Sequence, residues 1–245
     1  MNTMLIRERY KVVRVLESDA QYACVEAVDI QERETPSRLV NLYEGALLHR
    51  YGRICTAIDP AECPSLRGMF LTGETLSVVF DDCGGTPIDQ VFHRGDAWPW
   101  RQRLEWAGRL LHRALELANL PPEAACAALL SDNVLLDVGA KQVRLRFLLR
   151  PLPELTAREL VLLAGDQVKK ILPRRWNSLE AQLDFLEELD AGVFRSIVPL
   201  YARWREAEAA IRAEREAYEK RTFVGRGLQL LRLRLRRLRK GRGQR

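Results

Sequence analysis

A chain of 245 residues can bury a sizeable core, as one two-lobed unit or as a domain with an appendage, and 47% hydrophobic with 29% charged residues is ordinary for a soluble globular protein. Residues 1–9 lack the apolar run of a signal peptide, and no uncharged apolar stretch approaches the ~18 residues of a membrane span, so the cytoplasm is the expected compartment. The five cysteines (Cys24, Cys55, Cys63, Cys83 and Cys126) are odd in number and have no metal-like spacing, which suits packed free thiols in reducing surroundings.

The net charge of +6 is unevenly placed. From Gly225 onward there are nine basic residues and no acid, leaving 30 basic against 33 acidic residues in the remainder, or −3. A slightly acidic body therefore carries a strongly basic tail.

Taken in chain order, Tyr10–Leu16, Tyr22–Asp29 and Arg38–Tyr43 have strand composition, and Glu44–Ile58 suits a helix. Pro60 and Pro64 interrupt the chain before a strand pair, Gly68–Thr72 and Thr75–Phe80, which turns at Gly73-Glu74. Asp81 to Pro87, with two glycines and a proline, is the expected hinge, because composition changes there from β-like to helical. Trp100–Asn119 is predicted as a helix with Leu104, Ala107, Leu111, Leu115 and Ala118 on one face, ended by Pro121-Pro122. Asn133–Asp137 and Gln142–Leu148 form an expected hairpin, and helices are expected over Thr156–Leu172, Ser178–Ala191 and Gly192 to about Arg221. Strands first and helices after, joined by a hinge, define an α+β chain of two lobes. The division expected is 1–80 as a β-rich lobe, 81–87 as hinge, 88–199 as a helical lobe, 200–224 as a charged helix and 225–245 as a basic amphipathic tail.

Asp132-Asn133-Val134-Leu135-Leu136-Asp137, after a helix and a proline turn, resembles the end of the catalytic loop of the protein-kinase-like fold family. Lys141–Leu145 resembles the strand before D-F-G, Val78–Thr86 the strand and hinge beside the adenine, and Arg9–Leu16 the first strand. The resemblance covers residues 9–150 and implies a two-lobed fold with a small β-rich N-lobe, a reduced helical C-lobe and a C-terminal basic helix. It makes Asn133, Asp132, Phe80, Asp81 and Phe147 the candidate residues of a nucleotide cleft.

Placed residue by residue, the family's chemistry is missing. Glu17–Tyr22, where a glycine-rich loop belongs, has no glycine and two acids, which repel polyphosphate. Asn41 stands where the phosphate-pairing lysine belongs, and the following helix offers no glutamate near its centre. Ala128 replaces the catalytic base in Cys126-Ala127-Ala128, and Arg146 replaces the metal-binding carboxylate in Arg146-Phe147-Leu148. Each kind of loss costs ~10²–10⁴-fold, although such effects do not add simply. The resemblance thus implies a degenerate, bacterial-type pseudokinase without catalytic residues, metal or cofactor, serving as a cytoplasmic scaffold for an unidentified protein partner. ATP binding is disfavoured. An arginine at the metal position can instead hold an anion or fill the site with a salt bridge.

Two other readings stand beside it. One is an atypical nucleotide-binding serine/threonine-kinase-like phosphotransferase using other residues. The other is a nucleic-acid-associated protein acting through Arg226, Arg232, Arg234, Arg236, Arg237, Arg239 and Lys240. The same tail places Leu228, Leu231, Leu235 and Leu238 along one side of a helix, with Leu230 and Leu233 off that stripe. Such a helix suits an anionic membrane surface, which would make the protein peripheral at the inner face of the membrane. His49, His93 and His112 lie far apart and are read as solvated or packed, and Asp166 as a helix-surface residue.

Overall fold

The structure, a computed structural model, describes residues 4–34, 36–222, 224–231 and 235. Its first half is an antiparallel sheet of six strands: β1 (Leu5–Ile6), β2 (Tyr10–Ser18), β3 (Tyr22–Asp29), β4 (Ser37–Tyr43), β5 (Leu66–Thr72) and β6 (Thr75–Asp81), in the spatial order β1-β2-β3-β4-β6-β5. One helix, α1 (Gly45–Thr56), crosses from β4 to β5. The two-residue turn between β5 and β6 pairs Thr72 with Thr75 and puts Gly73 at φ +60°, a conformation that costs glycine little.

Period-two alternation divides the sheet's side chains between two cores. Tyr10, Val25, Ala27, Val40 and Val79 cluster on the outer face, where Tyr10 stacks on Phe70. Tyr22, Cys24, Leu39, Tyr43, Val78 and Phe80 face inward and join the main core with α1 and the helical half.

Asp81 still belongs to β6, and Thr86–Pro87 already form strand β7, paired with β8 (Val134–Asp137), so the unpaired crossing comprises residues 82–85. Gly85 is fitted to that crossing: at φ +154°, a Cβ on it would lie 2.9 Å from Leu135 Cβ. β8 pairs in turn with β9 (Gln142–Leu145).

The helical half comprises α2 (Ile88–Val91), α3 (Trp100–Glu116), α4 (Pro122–Ala128), α5 (Ala157–Ile171), α6 (Glu180–Asp190) and α7 (Ile197–Glu219). α3 is the central post, packed against α5, α7 and β9. Its buried face runs through Leu104, Ala107, Leu110, Leu111 and Ala114, so the apolar stripe continues through Leu117 rather than Ala118, which is exposed. α5 begins with a capping box: Thr156 Oγ1 accepts from Arg158 N–H at 3.2 Å, and Glu159 Oε2 accepts from Thr156 N–H at 2.8 Å. α4 is an addition to the sequence reading, which took Pro121-Pro122 only as a stop. Proline at the first helical position starts a helix as readily as it ends one, since its missing N–H has no intrahelical partner there.

Candidate functional site

The seam between the two halves is built on residues 146–150, which follow β9, and three inward-facing side chains of the first half grip its backbone. Asn41, at the centre of β4, is fully buried. Its amide N–H donates to Phe147 O at 2.9 Å, and its Oδ1 accepts from Leu149 N–H at 2.8 Å and from Tyr22 Oη at 3.1 Å. Tyr43 Oη donates to Leu149 O at 2.6 Å. Tyr51 Oη donates to Arg150 O at 3.1 Å and accepts from Leu152 N–H at 2.9 Å, while its ring stacks on Tyr43 at 4.3 Å. Burial raises the Tyr22, Tyr43 and Tyr51 hydroxyls above their usual value, Tyr22 and Tyr43 well above it, so all three stay neutral donors.

Beneath this clasp, Phe80 of β6 stacks on Phe147 with centroids 5.0 Å apart. Asn133 is likewise fully buried, its amide donating to Ala127 O at 2.7 Å and Leu148 O at 3.0 Å while its Oδ1 has no partner among the described residues. Ala128 ends α4 inside the core with no exposed surface and nothing to give or accept a proton. Burial raises the neighbouring Cys126 thiol to about 12, keeping it a neutral packing group.

The charged residues pair across the seam. Arg146 Nε reaches Asp82 Oδ1 at 3.1 Å, joining the segment after β9 to the inter-lobe crossing. Arg150 binds Asp132 and also Glu17 of β2 at 3.3 Å, tying the edge of the first sheet to the loop after α4. The turn between β2 and β3 is closed on itself, with Asp19 N–H donating to Tyr22 O at 2.7 Å and Ala20 N–H to Asp19 Oδ1 at 2.7 Å. Two of its amides are thereby engaged within the turn itself.

Asp81 departs from the sequence reading. Alternation along β6 sends it to the face opposite Phe80, where it pairs with Arg38 of β4 and, at 2.7 Å, with Arg67 of β5. The cleft-facing acid is its neighbour Asp82. Asn41, Phe80, Asn133, Arg146 and Phe147 do converge on the seam, and Asp132 sits exposed at its edge. Sequence reasoning missed Tyr22, Tyr43, Tyr51 and Arg150. The tyrosines carried a usable signal, because all three fall on inward positions of β3, β4 and α1.

Of the tail residues, Arg226 alone among the seven basic candidates is described, with its guanidinium Nε donating to Arg221 O at 3.0 Å. Arg232, Arg234, Arg236, Arg237, Arg239 and Lys240 lie outside the described residues. His49, His93 and His112 are exposed, and no cluster of metal-ligating side chains occurs among the described residues. Asp166 lies on the surface of α5, paired with Lys169 at 2.6 Å.

A small curled antiparallel sheet with one helix, a short crossing and a helical half centred on α3 and α5 together make the two-lobed protein-kinase-like fold. Among solved structures, the chain is similar to the kinase domain of Mycobacterium tuberculosis PknI, with 14% identity, a TM-score of 0.55, and 84% of this chain and 99% of that one covered. The C20A mutant of that domain gives 13% identity and a TM-score of 0.56 over 87% and 98% of the two chains. An apo pseudokinase gives 15% and 0.54 over 80% and 88%. No family model matches, and no curated protein matches by sequence. The likeness is one of fold.

Proposed function

We propose that the chain is a pseudokinase: a protein-kinase-like fold that transfers no phosphate and serves as a cytoplasmic binding or scaffolding module for a protein partner. Arg146 carries the reading. In a working kinase this position holds a carboxylate for Mg²⁺; here a guanidinium occupies it and is bonded to Asp82. The side chains around it support the same conclusion. Asn41 is held by three hydrogen bonds, Ala128 has no proton acceptor, and Glu17 at the end of β2 is paired with Arg150.

The test is thermal unfolding of the full chain with millimolar ATP and Mg²⁺. Ligand at about 100 times its dissociation constant stabilises by ~2.7 kcal/mol, a rise in Tm of roughly 5–10 °C for a chain of this size. No rise is expected. A rise removed by Asp132→Ala, or labelled phosphate transferred by the pure protein, would favour the phosphotransferase reading instead.

Attachment to an anionic membrane surface through the C-terminal segment is the second part of the proposal. Residues 224–231 are helical, with Leu230 buried against Leu179 and Tyr218 while Val224, Leu228, Leu231 and Leu235 remain exposed. The exposed residues follow helical spacing, and the nine basic residues from Gly225 onward would each add ~1 kcal/mol near anionic lipid. No helix among the described residues is long and apolar enough to cross a membrane. Co-sedimentation with phosphatidylserine vesicles should be lost on deleting residues 225–245. Retention on RNA with no vesicle binding would move the tail to the nucleic-acid reading.

A further inference from the structure

A groove of about 670 Å³ lies between α3, α7 and the β8–β9 hairpin, and shares no residue with the inter-lobe seam. Its floor is apolar, made by Leu104, Val143 and the ring of Trp204. Its rim is basic: Arg109, Arg113, Lys141, Arg144 and Arg205 outnumber Glu105 and Glu208. Both acids are already engaged, Glu105 weakly with Arg109 at 3.9 Å and Glu208 with Arg212 at 2.9 Å. Lys141 and Arg205 have no ion-pair partner among the described residues.

The groove also gathers donors that nothing among the described residues satisfies. Trp204 is fully buried, yet its indole N–H has no acceptor, and Arg109 Nη1 and Arg113 Nε are unpartnered as well. A buried donor left unpaired costs ~1–3 kcal/mol, which a phenyl ring at the same place would avoid. Gly108 keeps the space beside that N–H open, since a Cβ there would lie 3.3 Å from Trp204 Nε1. Glycine within a helix is itself unfavourable by ~1 kcal/mol relative to alanine, so helix propensity does not account for it.

We propose that this groove binds a small organic anion with an aromatic or apolar part, of the aryl phosphate or aryl carboxylate class. The anionic end takes the Trp204 N–H and the basic rim, and the apolar part lies on the floor of Leu104 and Val143. Charge-assisted hydrogen bonds favour that end, and an apolar floor with a few converging donors is the usual composition of a small-molecule site.

The experiment follows the five indole N–H resonances of the ¹⁵N-labelled full chain during titration with phenyl phosphate and, separately, inorganic phosphate. Trp204→Phe identifies the resonance concerned. A saturable shift of the Trp204 peak with phenyl phosphate is expected, at least tenfold tighter than with inorganic phosphate. Gly108→Ala should weaken binding tenfold or more, because the new methyl occupies the approach to the N–H while the helix gains propensity. Lys141→Glu, at an exposed site, should weaken it as well. The proposal is overturned by an unmoved Trp204 peak up to about 10 mM, where even very weak affinities register. Equal binding of the two probes, or unchanged affinity in both Gly108→Ala and Lys141→Glu, overturns it too.

Discussion

Asn41→Ala offers a direct measure of how firmly the two lobes are joined. The substitution removes one donor and one twice-used acceptor, stranding Phe147 O, Leu149 N–H and Tyr22 Oη. Leu149 is fully buried, and Phe147 and Tyr22 nearly so, so water cannot readily replace the lost partners. Each stranded group costs ~1–3 kcal/mol, and with local relaxation the whole comes to about 3–5 kcal/mol. At 2–4 °C per kcal/mol for a chain of this length, Tm should fall by about 6–20 °C. Chemical denaturation at unchanged m-value, together with hydrogen exchange at the Leu149 amide, separates this from a general loosening. Asn41→Lys, the residue that the kinase pattern has there, should be no better tolerated, because α1 supplies no carboxylate to receive a buried cation. A loss below about 1 kcal/mol, or unchanged protection at Leu149, would refute the idea that this amide clasps the lobes.

Further outcomes follow from the ion pairs. In a double-mutant cycle of Arg146→Ala and Asp82→Ala, a coupling of about 1 kcal/mol is expected, above the median of exposed pairs because both side chains are largely buried. Coupling indistinguishable from zero would mean that Arg146 merely lies near the crossing. Asp96 should govern part of the acid limb of stability. Burial alone would raise its carboxyl pKa, but the hydrogen bonds from Arg103 and Trp98 N–H and the charges of Arg103 and Arg175 hold it below the ordinary value. The unfolded chain therefore binds the proton first as pH falls below about 4. The pair's contribution is present above that pH and is lost as pH drops through the lower, folded value. Asp96→Asn should flatten this limb and, by leaving the nearly buried Arg103 without its counter-charge, cost about 3 kcal/mol at neutral pH. An acid limb identical in the variant would rule Asp96 out.

Much of the fold was legible because its strands and long helices obey simple periods. Tyr22–Asp29 is a mostly apolar run of strand length, and Trp100–Glu116 repeats its apolar residues at helical spacing. The elements that escaped are short: α2 and α4 span too few residues for a period to register, and α4 was hidden behind a proline pair. At the site, the sequence could show which residue types stand at Asn41, Ala128 and Arg146, since that is a matter of position. For Arg146 it offered an anion or a salt bridge, but it could not name Asp82 as the partner, nor what Asn41 holds. The Asn41 amide meets Phe147 and Leu149 from more than a hundred positions away, and only the folded chain brings Glu17, Asp132 and Arg150 together. Asp81 was misplaced for a local reason, because a single step along a strand exchanges one face of the sheet for the other.

A nucleotide cleft needs charges that remain unsatisfied by the protein, so that phosphate and metal complete them. Across this seam the charged side chains are matched by the protein itself, and Asn133 Oδ1 is a buried polar atom left without a partner among the described residues. Arg146 is matched by Asp82, Arg150 by Glu17 and Asp132, and the polar ends of Asn41, Tyr43 and Tyr51 by backbone of residues 147–152. Opening the lobes would strand several buried donors and acceptors at once, each at ~1–3 kcal/mol, so separation is far costlier here than across a seam held by solvated contacts. These contacts hold the two lobes in one orientation. Under the proposed pseudokinase reading, nucleotide would have to displace the protein's own pairs before it could bind.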